Sequence, residues 1–170
     1  MSMSHKAYAF EWLAFDLGLR VVLERGLVDR NPQELLMLIE RERSSFKDPY
    51  EGEPLGENWQ ATLENPDEHA VGDYALTRYY EPSSDFGLGD EWWEIGSAIS
   101  EAARSALLGN PIGPAANRFD PGRQGSYFQT AEQCRVSLQI LEAERDKLPV
   151  NYMAGLSRAV AAGLGIYQTF

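Results

Sequence analysis

Apolar positions recur along this chain mostly at helical spacing. Tyr8, Trp12, Phe15, Leu19 and Val22 stand 4, 3, 4 and 3 residues apart. That spacing predicts one amphipathic helix over 6–25, stopped by Gly26. Asn31-Pro32-Gln33-Glu34 offers a cap, a first-turn proline and a capping partner. Leu35, Leu38 and Ile39 then carry a second helix to 44. Asn65-Pro66-Asp67-Glu68 repeats this chemistry and opens a third helix over 66–80 through Val71, Tyr74 and Ala75. Its period is weak, and a strand over 74–80 competes with it. Asp90 is positioned to cap a helix over 91–108, with Trp92, Ile95, Ile99, Ala102 and Ala106 on one face and Gly109 as its stop. Thr130, with Gln133 three residues on, opens another to 147 along Cys134, Leu138, Leu141 and Leu148. Pro149 begins a last helix, rich in Ala and Gly, to 163; Ala159, Gly163 and Gly165 suggest close helix packing, and Gly155 admits a neighbouring helix.

Prolines and glycines gather where the period fails, at 48–65, at 81–89 and at 109–129. The expected fold class is therefore mainly α: a single-domain bundle of about five to six helices with two long irregular loops, and room for a small β element near 70–80. A length of 170 residues fits one globular domain over 1–170. A 44% hydrophobic composition excludes a disordered chain.

Composition narrows the setting. Cys134 is the single cysteine, so no internal disulfide forms, and its place on an apolar face predicts a buried, inert thiol. His5 and His69 with one cysteine are too few for a zinc site. The start MSMSHKAYAFEWLAF is interrupted by Glu11 and Asp16 and does not read as a signal peptide. No run of 18 apolar residues exists. These features predict a cytoplasmic protein without membrane insertion, cofactor or metal.

Charge changes the picture most. The chain carries 26 acidic and 15 basic residues, a net charge of −11. Between 48 and 101 there are 14 acidic residues against Arg78 alone, a charge of −13; the rest carries 12 acidic and 14 basic residues. So negative a chain is poorly suited to contact a nucleic-acid backbone directly. The concentration predicts a surface that steers and binds a cationic partner. The plainer alternatives are a solubilising surface, or internal pairing with Arg118 and Arg123. Asp85, Asp90, Glu91 and Glu94 cluster in sequence without the EF-hand spacing.

Two function classes follow. In the first, a small acidic interaction protein masks a basic surface of another protein, as inhibitors of the immunity or nucleic-acid-mimic type do. Asp85, Asp90, Glu91 and Glu94 would form its charged rim, with Trp59 and Trp93 as aromatic anchors. Trp92 belongs with Ile95 and Ile99 in the core; Trp93, about 100° further round the helix, falls with Ser97 and Arg104 on the polar flank. The alternative is that Trp93 packs beneath the GENWQ loop. In the second class, an enzyme or small-ligand binder holds an anion under the 109–129 loop. Arg118, Arg123, Ser126 and Tyr127 would line that pocket, with His69 as base among Asp67, Glu68 and Asp73. No P-loop or G-x-S-x-G motif supports it. The plainer readings are a loop pinned by Phe119, Tyr127 and Phe128, and a surface histidine beside a helix start. No catalytic residue is assigned.

Overall fold

The computed structural model describes residues 3–170. In chain order the elements are β1 (Lys6–Phe10), α1 (Trp12–Gly18), α2 (Arg20–Asp29), α3 (Gln33–Arg41), α4 (Glu68–Leu76), α5 (Trp92–Ala98), α6 (Glu101–Leu108), β2 (Ser126–Gln129), α7 (Ala131–Glu142), α8 (Val150–Ala161) and β3 (Gly165–Thr169). The chain is mainly α with a small three-stranded antiparallel sheet. It divides into two compact units. The first comprises the chain up to Trp12, Ser84–Pro111 and Gly122–Phe170; the second comprises Leu13–Ser83 and Ile112–Pro121.

In the first unit, β3 is the central strand, between β1 and β2. Tyr167 lies opposite both Tyr8 and Phe128. Side chains alternate across a sheet, so Tyr8, Phe10, Tyr167 and Phe128 share one face, where Phe128 stacks on Tyr167 at 4.9 Å. Ala7 and Ile166 fall on the other face. They join Ala103 and Leu107 of α6, Cys134 and Leu141 of α7, and Tyr152, Leu156 and Ala159 of α8 in one buried cluster. Gly165 is required by the sheet: a Cβ there would stand 2.2 Å from the Gln129 carbonyl oxygen.

The second unit is helical. α2, α3 and α4 pack on one another, burying Leu23, Leu27, Leu35, Ile39 and Val71. Gly72 of α4 lets Phe119 and Leu23 approach; a Cβ would meet them at 2.8 and 2.9 Å.

Several sequence expectations need correction. The helix expected over 6–25 begins only at Trp12, because Lys6–Phe10 pairs with β3. It continues through Gly26 and ends at Arg30, which takes the left-handed conformation at φ 51°. The helix expected over 66–80 forms as α4, and the strand that competes with it over 74–80 does not: that stretch ends α4 and continues as turn, and the strands lie at both chain ends and after residue 125. The helix expected over 91–108 is broken at Ile99. Ser100 caps α6 by accepting from the Ala103 N–H, and the re-phased helix buries Ala103, Ala106 and Leu107 while Ala102 is exposed. Asp90 does not cap α5, whose cap position is Glu91 without a side-chain bond. Gly155 faces the Phe86 ring, not another helix, and Gly165 lies in a strand. The Thr130–Gln133 capping box and the Asp67 cap form as expected.

Candidate functional site

α5 and the loop before it carry the densest set of expected partner-binding residues. The loop is fixed along the outer edge of β1. His5 and Gly89 exchange backbone hydrogen bonds at 3.0 and 2.9 Å, and the Phe86 N–H donates to the Ala7 carbonyl at 2.9 Å. At Gly87 a Cβ would lie 2.2 Å from the His5 carbonyl oxygen, so glycine is required. The Asp85 carboxylate accepts from the Ala7 and Gly87 N–H groups at 3.0 and 2.8 Å. Although exposed, Asp85 therefore has a structural task.

Beneath this loop sits His5, fully buried. Its Nδ1 accepts from the Leu88 N–H at 3.1 Å, which places the proton on Nε2, donating to Gln168 Oε1 at 2.9 Å. Gln168 Nε2 in turn donates to the Leu108 carbonyl at 2.6 Å. Trp92 stacks on the imidazole at 5.1 Å, and Phe170 meets it edge-on at 5.3 Å. Burial pushes the imidazole pKa down to about 4, outweighing the Gln168 bond and the Asp85 charge. His5 was not among the expected site residues; it is recognisable only once β1 is known to lie beside Gln168.

Trp92 is held inward, so the next residue turns out. Trp93 is 76% exposed. Asp90, Glu91 and Glu94, its sequence neighbours, are exposed as well. A depression of about 280 Å³ lies beside it, lined by Trp92, Trp93, Gly96, Ser97 and Arg104. The Arg104 Nε–H donates to the Gly96 carbonyl at 2.9 Å, and the Ser97 hydroxyl to that of Trp93 at 2.8 Å. Trp59, the other expected anchor, is buried in the second unit: it packs on Tyr74 and its Nε1–H donates to Glu40 at 2.7 Å. It is not available to a partner.

The residues expected to line an anion pocket are divided between the two units. Arg118 belongs to the second unit and Arg123 to the first, where Arg123 takes a left-handed backbone at φ 58°. Ser126 is buried and its hydroxyl pairs with that of Thr169 at 2.9 Å. The Tyr127 ring packs over Gly125. His69 Nδ1 accepts from the Asp120 N–H at 3.1 Å, so Nε2–H donates to Asn117 Oδ1 at 3.0 Å. A cavity of about 350 Å³ does open at the two ends of the loop, where Gly109, Asn110 and Gln129 meet Glu132 and Ser137. Three of its polar side chains are engaged within the fold: the Ser137 hydroxyl donates to Gln129 Oε1 at 2.7 Å, Gln129 Nε2 to the Ala106 carbonyl at 2.8 Å, and Glu132 holds Arg135.

The acidic excess is uneven. The second unit has 16 acidic and 8 basic residues, the first 10 and 7. In the second unit Glu68 and Asp73 are buried, whereas Glu51, Glu53, Glu57 and Glu64 are exposed. Cys134 is buried, which pushes its thiol up to about 12 and leaves it unreactive at neutral pH. Among the described residues, no group of three or more His, Cys, Asp or Glu is arranged to hold a metal ion, and no helix is long and apolar enough to cross a membrane. Comparison with protein-family models, with curated proteins and with solved structures finds no match.

Proposed function

We propose that the chain is a small cytoplasmic interaction protein that binds and masks a basic surface of a partner protein, in the manner of an inhibitor. The single supporting observation is Trp93: a large apolar side chain, 76% exposed, beside the exposed carboxylates of Asp90, Glu91 and Glu94. The carboxylates steer a cationic surface, and the indole supplies the desolvated contact that slows dissociation. The backbone beneath is already fixed by the His5–Leu88 and His5–Gly89 hydrogen bonds, so little ordering cost falls on binding. The ligand-pocket reading is weaker, because Ser126 and His69 already use their polar atoms within the fold.

The test begins with partners recovered from host lysate at low salt and at about one molar, where screening acts within about 3 Å. The recovered partner is then titrated against Glu91→Lys with Glu94→Lys, and against Trp93→Ala. A basic partner whose binding both variants weaken supports the proposal. Undiminished binding of the double lysine variant at low salt rejects it.

A further inference from the structure

A second surface lies in the other compact unit and is independent of the Trp93 reading. α1 and α2 continue one into the other across Leu19: its N–H donates to the Phe15 carbonyl at 2.9 Å, and its carbonyl accepts from the Leu23 N–H at 3.0 Å. Phe15, Leu19, Leu23 and Leu27 form the buried side of this segment. The opposite side is apolar too. Leu13, Leu17, Val21 and Val28 are 71%, 80%, 61% and 63% exposed. At spacings of 4, 4 and 7 residues, they fall on one helical face and form a row. Single exposed hydrophobics are ordinary on a protein surface; a row at helical spacing marks an interaction face.

The charges along the row indicate what covers it. Arg20 donates to Asp16 at 2.8 Å and to Glu24 at 3.1 Å, and Arg25 is held by Glu34 at 2.7 Å. Arg20 and Arg25 are therefore already paired within the unit, and Arg30, at the end of α2, donates to the Ala116 carbonyl at 3.3 Å. Asp29 is exposed, and the unit as a whole has twice as many acidic as basic residues, 16 against 8. A second copy of this chain and an anionic membrane both bring like charge to this face. A cationic edge is complementary to it. We infer that Leu13, Leu17, Val21 and Val28 form a docking row for an amphipathic helix of a partner protein, apolar on its contact face and lysine- or arginine-rich along its edges. Such a helix lays its i, i+4 anchors along the row while its edge cations meet Asp29 and the unit's wider acidic excess.

The probe is a labelled synthetic peptide of about 18 residues, five helical turns, with Leu on one face and Lys on the other. Its control carries Glu in place of Lys. Binding to the full chain is followed by fluorescence anisotropy. The Lys peptide is expected to bind, and more weakly as salt rises. Leu17→Ser with Val21→Ser weakens it by roughly tenfold or more, whereas Trp93→Ala changes it by less than about twofold. Leu17→Ala with Val21→Ala, which keeps helix propensity, moves affinity the same way, and circular dichroism reports whether each variant is folded. Equal binding by the serine pair and the parent, or by the Glu peptide and the Lys peptide, overturns the inference. So does loss of binding in Trp93→Ala, or sedimentation showing a dimer that the serine pair dissociates. A failure of the Trp93 reading alone leaves these readouts unchanged.

Discussion

Each compact unit holds a loop in place through a histidine whose two ring nitrogens are engaged, but the two surroundings differ. In the first unit His5 accepts from the Leu88 N–H and donates to Gln168, whose amide reaches the Leu108 carbonyl. In the second, His69 accepts from the Asp120 N–H and donates to Asn117, whose amide reaches the Leu27 carbonyl at 2.8 Å. The order is the same in both: loop N–H, imidazole, side-chain amide, backbone carbonyl. The first chain of bonds is enclosed by Trp92, Phe170 and Tyr152. The second takes in a carboxylate, with Asn117 Nδ2 donating to buried Glu68 at 2.7 Å and Glu68 lying 3.7 Å from His69. One solution to loop fixation thus serves an aromatic, weakly charged unit and a strongly acidic one. What differs is whether a charge is built into the latch.

If the first unit rests chiefly on aromatic packing, its largest loss comes from the sheet. Phe128 is 1% exposed, stacks on Tyr167 and meets Phe10 edge-on at 5.5 Å. Phe128→Ala is expected to cost about 3–5 kcal/mol in urea unfolding. A loss below about 1 kcal/mol would break the contrast. The latch itself gives the next effect. His5 is protonated near pH 6.5 when unfolded but only near 4 when folded, so between these values the unfolded chain binds the extra proton. Its contribution is complete above about pH 6.5 and is lost as pH falls towards 4, worth about 3 kcal/mol. Unfolding at pH 7 and 4.5 should show the parent losing more stability than His5→Gln over that interval; equal losses would remove the buried imidazole from the account.

In the second unit the corresponding test is Asn117→Ala. It strands the Glu68 carboxylate and the Leu27 carbonyl and is expected to cost about 1–3 kcal/mol. Asn117→Asp should cost more, because it sets a second carboxylate beside Glu68. Equal stability of Asn117→Asp and the parent at pH 7 would mean that the charge in this latch is immaterial.

Local chemistry was legible in the sequence, and distant pairing was not. The Thr130 box and the Asp67 cap need only residues within three or so positions, and both form. The divergence of Trp92 and Trp93 follows from helical geometry alone. The sheet strands are four or five residues long, and Lys6 pairs with Thr169. No local period signals a partner at the far end of the chain, and the spacing of Tyr8, Trp12 and Phe15 imitates a helix through the strand. His5 was invisible for the same reason: its partner Gln168 enters only through that pairing. Ser126 read as a candidate ligand until β2 brought its hydroxyl to Thr169. The acidic run from 48 to 101 was plain as composition. Its division between buried Glu68 and Asp73, structural Asp85 and exposed Asp90, Glu91 and Glu94 required the fold.

The smallest expected effect on folding is at the residue with most bearing on function. Trp93 lies one position from Trp92 but shares none of its ring contacts with His5 and Phe170. What the fold takes from Trp93 is its backbone carbonyl, which accepts from the Ser97 hydroxyl and which any residue supplies. Trp93→Ala should therefore change stability by less than about 0.5 kcal/mol, whereas Trp92→Ala, which opens a cavity beside His5, should cost several times more. Against the recovered basic partner the order reverses: truncating an exposed aromatic anchor is expected to weaken binding by roughly tenfold or more. Stability and affinity measured on the same Trp93→Ala preparation decide the matter. A destabilised protein would mean that the indole belongs to the fold, and unchanged affinity would mean that the carboxylates act without it.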